Sequence, residues 1–264
     1  MFNIVKQKIL KAKVNTNPYP HIVIRNFLPK EMHKKLIKLL PEFNSLNESN
    51  ENKLLIQSKL KTKKTLMPDT KTFKKLKKNK IFNECDNILK NIQPHVLKKF
   101  NNLIMENVHP KYLSSKIKYH MSLSFMSKGY LKSPHIDRRD HLIHALYYPV
   151  SEGSKGGELL LYDTKKRTKT YDIFPKIFDL KVKKKIKIYQ NICVFSLNVP
   201  WSYHGVHKYY GKKDRKYFYI AYDFKIKNSG AKFKNRKKGF NDNSFWIKPA
   251  KVKSQTRRKI FLSE

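Results

Sequence analysis

The chain reads as an α+β protein whose C-terminal half is an antiparallel sandwich or barrel, and three observations predict this. Before about residue 107 the apolar residues keep helical spacing, as in Met32, Leu36, Leu39 and Leu40. From about residue 117 the period changes to two: Tyr119, Met121, Leu123 and Phe125 alternate with His120, Ser122 and Ser124. Turn signals at Gly129, Ser151-Glu152-Gly153 and Gly156-Gly157 then cut the remainder into short strands. Helices first and strands after is the α+β order, and 264 residues suffice for one large domain with appendages.

The elements follow in order. Residues 1–16 form a basic lead-in, with Phe2, Ile4, Val5, Ile9 and Leu10 partly on one helical face, expected to pack on the core. Residues 17–116 are a support region. After Pro18-Tyr19-Pro20 comes a short β-branched strand, His21 to Ile24, and Asn26-Phe27-Leu28-Pro29 then turns the chain into a helix over about Lys30 to Leu40. Residues 43–80, rich in Asn, Ser and Lys with weak periodicity, read as a long mobile excursion. A second helical stretch covers roughly 81–107 and is interrupted at Pro94. Residues 117–226 form the strand-rich core, with further strands expected at Ile143 to Tyr148, Glu158 to Tyr162, Ile192 to Leu197 and Lys216 to Phe224. Residues 227–264 are a basic extension with little periodicity, read as solvated.

Lys and Arg total 59 against 19 acids, a formal net charge of +40. Of these, 51 are Lys and only 8 are Arg. Arg is the better two-pronged reader of phosphate, so a dedicated nucleic-acid binder is not expected to shun it. The basicity therefore reads as background, and a nucleic-acid partner is not expected, although any polyanion would be attracted in a salt-dependent way. Cys85 and Cys193 are the two cysteines, far apart and outside any CxxC pair, which fits a reducing compartment. No apolar run approaches the roughly 20 residues of a membrane span. With no signal-peptide pattern at the start, the expected location is the cytoplasm.

The segment Ser133-Pro134-His135-Ile136-Asp137 lies just beyond the alternating strand. In an extended chain residues i and i+2 point to one side, so His135 and Asp137 can offer an imidazole nitrogen and a carboxylate oxygen to one ion. Downstream, Ser202-Tyr203-His204-Gly205-Val206-His207 offers a third ligand. Two His and one carboxylate on one face of an octahedron leave three positions open, the arrangement of non-haem iron oxygenases. With ten His in the chain, roughly 0.4 HxD tripeptides arise by chance, so the tripeptide alone is weak. Its context is stronger. A Gly156-Gly157-Glu158-Leu159 turn follows about twenty residues on, and His204-Gly205-Val206 is followed by Gly211 and then by Arg215 opening a strand.

In order and spacing these residues resemble the core of 2-oxoglutarate- and iron(II)-dependent dioxygenases, especially the prolyl-hydroxylase-like branch. The resemblance spans roughly residues 117–226, and Pro20 to Leu28 resembles the entry strand of such proteins. It implies a double-stranded β-helix, a cupin-like jelly roll, with N-terminal helices buttressing one sheet. It implies Fe(II) held by His135, Asp137 and His204, 2-oxoglutarate as cosubstrate, O2 as oxidant and ascorbate as a reductant. The implied reaction is hydroxylation, with succinate and CO2 as coproducts. Arg215 would pair with the far carboxylate of 2-oxoglutarate, a role suited to a guanidinium. Arg215 shares parity with Tyr217 and Tyr219, whereas Phe218, Ile220, Tyr222 and Phe224 take the other face.

The chain also departs from the pattern. Prolyl hydroxylases usually place Lys where Arg215 stands, so a prolyl substrate is not implied. Tyr217 stands where many relatives have Ser, and Ala221 where DNA-alkylation repair oxygenases have a second Arg. Phe125 stands about where a cosubstrate-contacting Tyr is usual, which leaves Tyr147 as the candidate contact or as a core aromatic. His207 competes with His204 as distal ligand; Gly205 after His204 favours the latter. His141 and His144 read as polar pocket or surface residues. Arg138, Arg139 and Asp140 either line an entrance or form a solvated turn. The substrate, a small molecule or a protein side chain, is not specified. The competing reading is a non-catalytic basic protein that binds nucleic acid or another polyanion on a cupin-like scaffold.

Overall fold

The computed structural model describes residues 1–49, 51, 54–57, 61–108, 113, 116–138, 141–151, 155–164 and 180–224. The helices are α1 (Phe2–Lys11), α2 (Lys30–Ile37), α3 (Lys71–Lys78), α4 (Lys80–Asn91), α5 (Gln93–Lys99) and α6 (Asn101–Asn107). The strands are β1 (His21–Ile24), β2 (Leu55–Gln57), β3 (Lys63–Leu66), β4 (Ile117–Met126), β5 (Lys132–His135), β6 (His141–Val150), β7 (Leu159–Thr164), β8 (Leu180–Ile186), β9 (Ile192–Leu197), β10 (His204–Val206) and β11 (Arg215–Phe224). They form a seven-stranded sheet in the order β1-β9-β6-β11-β4-β3-β2 and a four-stranded sheet in the order β5-β10-β7-β8. The pairings in both sheets are antiparallel. The molecule is thus a mixed α/β protein built on a large antiparallel sheet.

The large sheet has one face for helices and one for the small sheet, and alternation along β11 separates them. Phe218 packs on Phe82 of α4 at 5.7 Å, and the Tyr222 hydroxyl donates to the Leu89 carbonyl of the same helix at 2.7 Å. Tyr219, one residue out of phase, instead reaches the loop that follows β5. The expected division of β11 into two faces is therefore observed. Elsewhere, α2 is tied to β6 through His33 Nε2 and the Pro149 carbonyl at 2.9 Å. Helix α1 packs against α5: Val5 and Ile9 are fully buried, and Phe2 meets His95.

Some elements differ from expectation. The helical stretch 81–107 is three helices, and Pro94 sits in the first turn of α5, where its missing N–H costs nothing. The segment 43–80 carries β2, β3 and α3. Lysine hid them: Lys63–Leu66 presents two lysines in four residues, and α3 has Phe73 and Leu76 as its buried apolar pair. Strand β8, Leu-Lys-Val-Lys-Lys-Lys-Ile, was missed for the same reason. The basic extension at 227–264, together with Arg139 and Asp140, lies outside the described residues. Among the described residues no helix is long and apolar enough to cross a membrane.

Burial at the sheet edge carries a pH consequence. His21 on β1 is fully buried, with Nδ1 donating to the Tyr19 carbonyl at 2.8 Å and Nε2 standing 2.9 Å from Lys184 Nζ. Burial lowers its pKa to about 4; the Tyr19 carbonyl opposes this and Lys184 adds to it. Above the unfolded value of 6.5 neither state is protonated at this ring. As pH falls from 6.5 towards 4 the unfolded chain takes up a proton that the folded chain refuses. Stability is therefore lost across that window, by up to about 3 kcal/mol from this residue. His21→Gln is expected to flatten the fall of the denaturation midpoint between pH 6.5 and 4, and an unaltered slope would exclude His21 as a contributor.

Candidate metal centre

His135 is the last residue of β5, Ile136 turns inward at 1% exposure, and Asp137 follows. His204 opens β10 and is the direct cross-strand partner of His135. The close approach of the two strands explains the glycine after His204. A Cβ on Gly205 would lie 2.6 Å from the Lys132 carbonyl oxygen, so a side chain there would force β10 off β5. The two imidazole centroids are 4.3 Å apart, and one ligand atom from each of His135, Asp137 and His204 lies within 4.8 Å of the others.

Backbone carbonyls set the tautomers. Nδ1 of His135 is 2.9 Å from the Ser133 carbonyl, and Nδ1 of His204 is 3.1 Å from the Ser202 carbonyl. A carbonyl only accepts, so each Nδ1 carries a proton, and Nε2 is the ring atom with the lone pair in the neutral form. Those lone pairs face Asp137 Oδ1 at 3.7 Å and 3.8 Å. Three acceptors aimed at one point repel each other unless a cation lies between them, so the donor set fits a divalent metal. Burial, with His204 and Lys132 adding to it, holds His135 well below the usual histidine range, and Asp137 and the Ser133 carbonyl only partly oppose this. Burial pushes Asp137 upward, but His144, His204, His135 and His141 outweigh it and keep the carboxylate ionised. A neutral imidazole at His135 and an ionised carboxylate at Asp137 are protonation states that suit ligation.

Arg215 opens β11 and is fully buried. Its Nε donates to Ser151 Oγ at 3.0 Å, Nη2 to the Gly156 carbonyl at 3.1 Å and Nη1 to the Gly157 carbonyl. The guanidinium lies over the Tyr209 ring at 4.5 Å and near Tyr148 at 5.8 Å. Gly157 adopts φ +69°, and a Cβ there would strike the guanidinium, so the Gly-Gly turn and Arg215 require each other.

No protein-family model matches the chain, and no curated protein sequence matches it. Solved structures do. A prolyl hydroxylase from Trichoplax adhaerens, solved with a hypoxia-inducible-factor oxygen-degradation-domain peptide, superposes with a TM-score of 0.50 at 12% identity, covering 84% of this chain and 90% of that one. The fold is that of the prolyl-hydroxylase-like 2-oxoglutarate oxygenases. A Pseudomonas putida prolyl-4-hydroxylase is also similar, with a TM-score of 0.49, 12% identity and coverage of 86% and 100%. So is the epimerase SnoN in complex with Fe3+, alpha-ketoglutarate and nogalamycin RO, with a TM-score of 0.47, 6% identity and coverage of 84% and 83%.

On this oxygenase fold the other expected residues are distributed as follows. His207 is half-exposed and held by Glu158, Nδ1 to Oε2 at 2.9 Å, so it does not join His135 and Asp137. Tyr147 is corrected: its ring stacks on Phe218 at 5.9 Å and meets Phe27 at 5.3 Å, and its hydroxyl donates to Asn191 Oδ1. It is a core aromatic on the helix-side face. The adjacent Tyr148 is the one beside Arg215 and Tyr217. Phe125 also lies on the helix side, as the cross-strand partner of Lys216, whereas Ser124 pairs with Tyr217 on the site face.

Two groups beside Asp137 carry roles that the sequence did not suggest. The Tyr219 hydroxyl donates to Asp137 Oδ2 at 3.0 Å, and His144 Nδ1 stands 3.2 Å from the same oxygen, outside good hydrogen-bond geometry. The two carboxylate oxygens thus have separate surroundings: Oδ1 faces the imidazole lone pairs, and Oδ2 faces Tyr219 and His144. His141, by contrast, binds Asp223 through Nδ1 at 2.5 Å and adjoins Tyr219. Tyr219→Phe is expected to free Oδ2 and weaken divalent-metal affinity about 10-fold, because such supporting bonds typically contribute that much. Equilibrium dialysis with Mn(II) checks this, and an affinity equal to that of the parent would remove Tyr219 from the support of Asp137.

Proposed function

We propose that the protein is an Fe(II)- and 2-oxoglutarate-dependent dioxygenase that hydroxylates its substrate, with succinate and CO2 as coproducts, on a double-stranded β-helix core. The observation that carries this reading is the convergence of two bare Nε2 lone pairs on one ionised carboxylate oxygen, at 3.7 Å and 3.8 Å, in an oxygenase fold. His135, Asp137 and His204 would hold the metal, and Arg215 would anchor the far carboxylate of 2-oxoglutarate. Bound there, iron and 2-oxoglutarate would supply the activation of O2: decarboxylation of 2-oxoglutarate to succinate would give two of its four electrons and the substrate C–H bond the other two, so that one oxygen atom enters each product. Ascorbate as reductant rests on the family resemblance.

The chain's own contribution is positional. The Ser133 and Ser202 carbonyls fix both imidazoles in the ligating tautomer. Tyr219 holds Oδ2 so that Asp137 offers one oxygen, which leaves coordination positions for cosubstrate and oxidant. Arg215 spends three donors on Ser151, Gly156 and Gly157, and a guanidinium has five, so two remain for a carboxylate. Tyr148 and Tyr209 pack aromatic surface near the guanidinium, with Tyr217 against Tyr148, and help to keep water from it. A non-catalytic polyanion binder would leave the convergence of His135, Asp137 and His204 without a purpose.

The test is an anaerobic titration of the full chain with Fe(II) and 2-oxoglutarate, followed through the weak visible charge-transfer band of the ternary complex. Under air, succinate formation and incorporation of labelled dioxygen into product then separate hydroxylation from epimerisation. The absence of both the band and succinate would overturn the proposal.

A further inference from the structure

Half-buried lysines in this fold generally have partners. Lys216 Nζ meets Glu42 at 2.6 Å, Lys77 pairs with Asp86, Lys184 meets His21 at 2.9 Å, and Lys64 donates to the carbonyls of Phe43 and Leu46. Lys63 does not follow them. It lies on β3 in the cross-strand row Lys63, Met126, Arg215, so its side chain shares the site face with Tyr217 and Tyr219. Its Nζ is 5.7 Å from the Tyr217 ring centroid. Neither Lys63 nor Lys132, three residues before His135, has an acidic ion-pair partner among the described residues. The two ammonium groups feel each other's charge, and both feel that of Asp137.

The general basicity of the chain does not account for Lys63. An unpaired ammonium in open water costs nothing, and with 59 Lys and Arg against 19 acids many must be unpaired. An ammonium withdrawn from water loses hydration, and burial lowers Lys63 to about 8, only partly opposed by Asp137. An arriving anion would restore what burial removes. Lys132 beside it is exposed to solvent.

The geometry points to an oxyanion subsite: Lys63, with Lys132 beside it, binds a carboxylate-class group of the substrate next to the His135/Asp137/His204 centre. As a statement about substrate it rests on the oxygenase reading above, and it narrows the substrate to one bearing an anion close to the carbon that reacts. Arg215, whose guanidinium lies against the Gly156-Gly157 turn, remains the separate anchor for the cosubstrate.

The experiment uses the full chain with its lysines reductively dimethylated with carbon-13, which preserves their charge. The Lys63 and Lys132 signals are assigned from Lys63→Arg and Lys132→Arg. Acetate and its neutral isostere acetamide are titrated at constant ionic strength, first alone and then with Zn(II) and 2-oxoglutarate present. The Lys63 signal is expected to move saturably with acetate, by about five times the typical movement of exposed lysines, and not with acetamide. Lys63→Met should abolish saturable movement at Lys132, and Lys63→Arg should retain it. Equal responses to acetate and acetamide, or no excess over exposed lysines, would overturn the subsite. Loss of the acetate response once 2-oxoglutarate is bound would assign the site to the cosubstrate and overturn the substrate proposal. If 2-oxoglutarate fails to bind while Lys63 still responds to acetate, the oxygenase reading fails and the anion subsite stands.

Discussion

Asp137→Ala is expected to eliminate divalent-metal retention at the centre and to reduce 2-oxoglutarate turnover to background. Removal of Oδ1 leaves the Nε2 atoms of His135 and His204 without the anion they face at 3.7 Å and 3.8 Å. It also strips the Tyr219 hydroxyl of the oxygen to which it donates at 3.0 Å, leaving a buried donor unmatched at a cost of about 1–3 kcal/mol. Loss of a direct ligand should exceed the 10- to 100-fold that supporting bonds contribute to metal affinity. Asp137→Asn separates charge from shape: the amide oxygen can still accept from Tyr219, so the fold is kept while the anionic ligand is lost. Metal retention by dialysis, succinate release and a thermal melt on both variants distinguish the outcomes. His135→Ala should behave like Asp137→Ala for metal and turnover. Ordinary succinate release by any of the three would sink the assignment.

Arg215→Ala carries the second large effect, and it has two separable parts. The structural part follows from what the guanidinium does without any ligand. It satisfies the Gly156 and Gly157 carbonyls and Ser151, and it lies on the Tyr209 ring. Orphaning these buried acceptors should cost about 3–5 kcal/mol and lower Tm by roughly 10 °C. The functional part is a rise in the 2-oxoglutarate requirement of about 10- to 100-fold, measured well below the melt, with metal affinity little changed. Arg215→Lys restores the charge but not the reach to both glycine carbonyls, so it should recover cosubstrate affinity better than stability. A lowered Tm with an unaltered 2-oxoglutarate requirement would make Arg215 a strut for the glycine turn and nothing more.

The segments that hid in the sequence share a cause. Strands β3 and β8 are lysine-rich, and their pairing is supplied by neighbours rather than by their own apolar pattern. That Tyr148, and not Tyr147, lies beside Arg215 depends on register. The pairing of β6 with β11 shifts between Lys216 and Phe218, and a one-residue displacement exchanges the two faces of a strand. No local pattern encodes that shift. His144 and Tyr219 are 75 residues apart by number, and only the adjacency of β6 and β11 brings both to Asp137.

The metal-ligand candidates and their order were legible before any fold was known, because an i, i+2 pair on extended chain shares a side whatever surrounds it. The two-faced character of β11 was legible for the same local reason. The choice of His204 over His207 needed the β5–β10 pairing, which places one histidine against His135 and turns the other out to Glu158. The unpaired state of Lys63 likewise needed the folded chain. Charge compensation is a property of what lies nearby in space, and residues 63, 132, 137 and 217 become neighbours only when the two sheets close on each other.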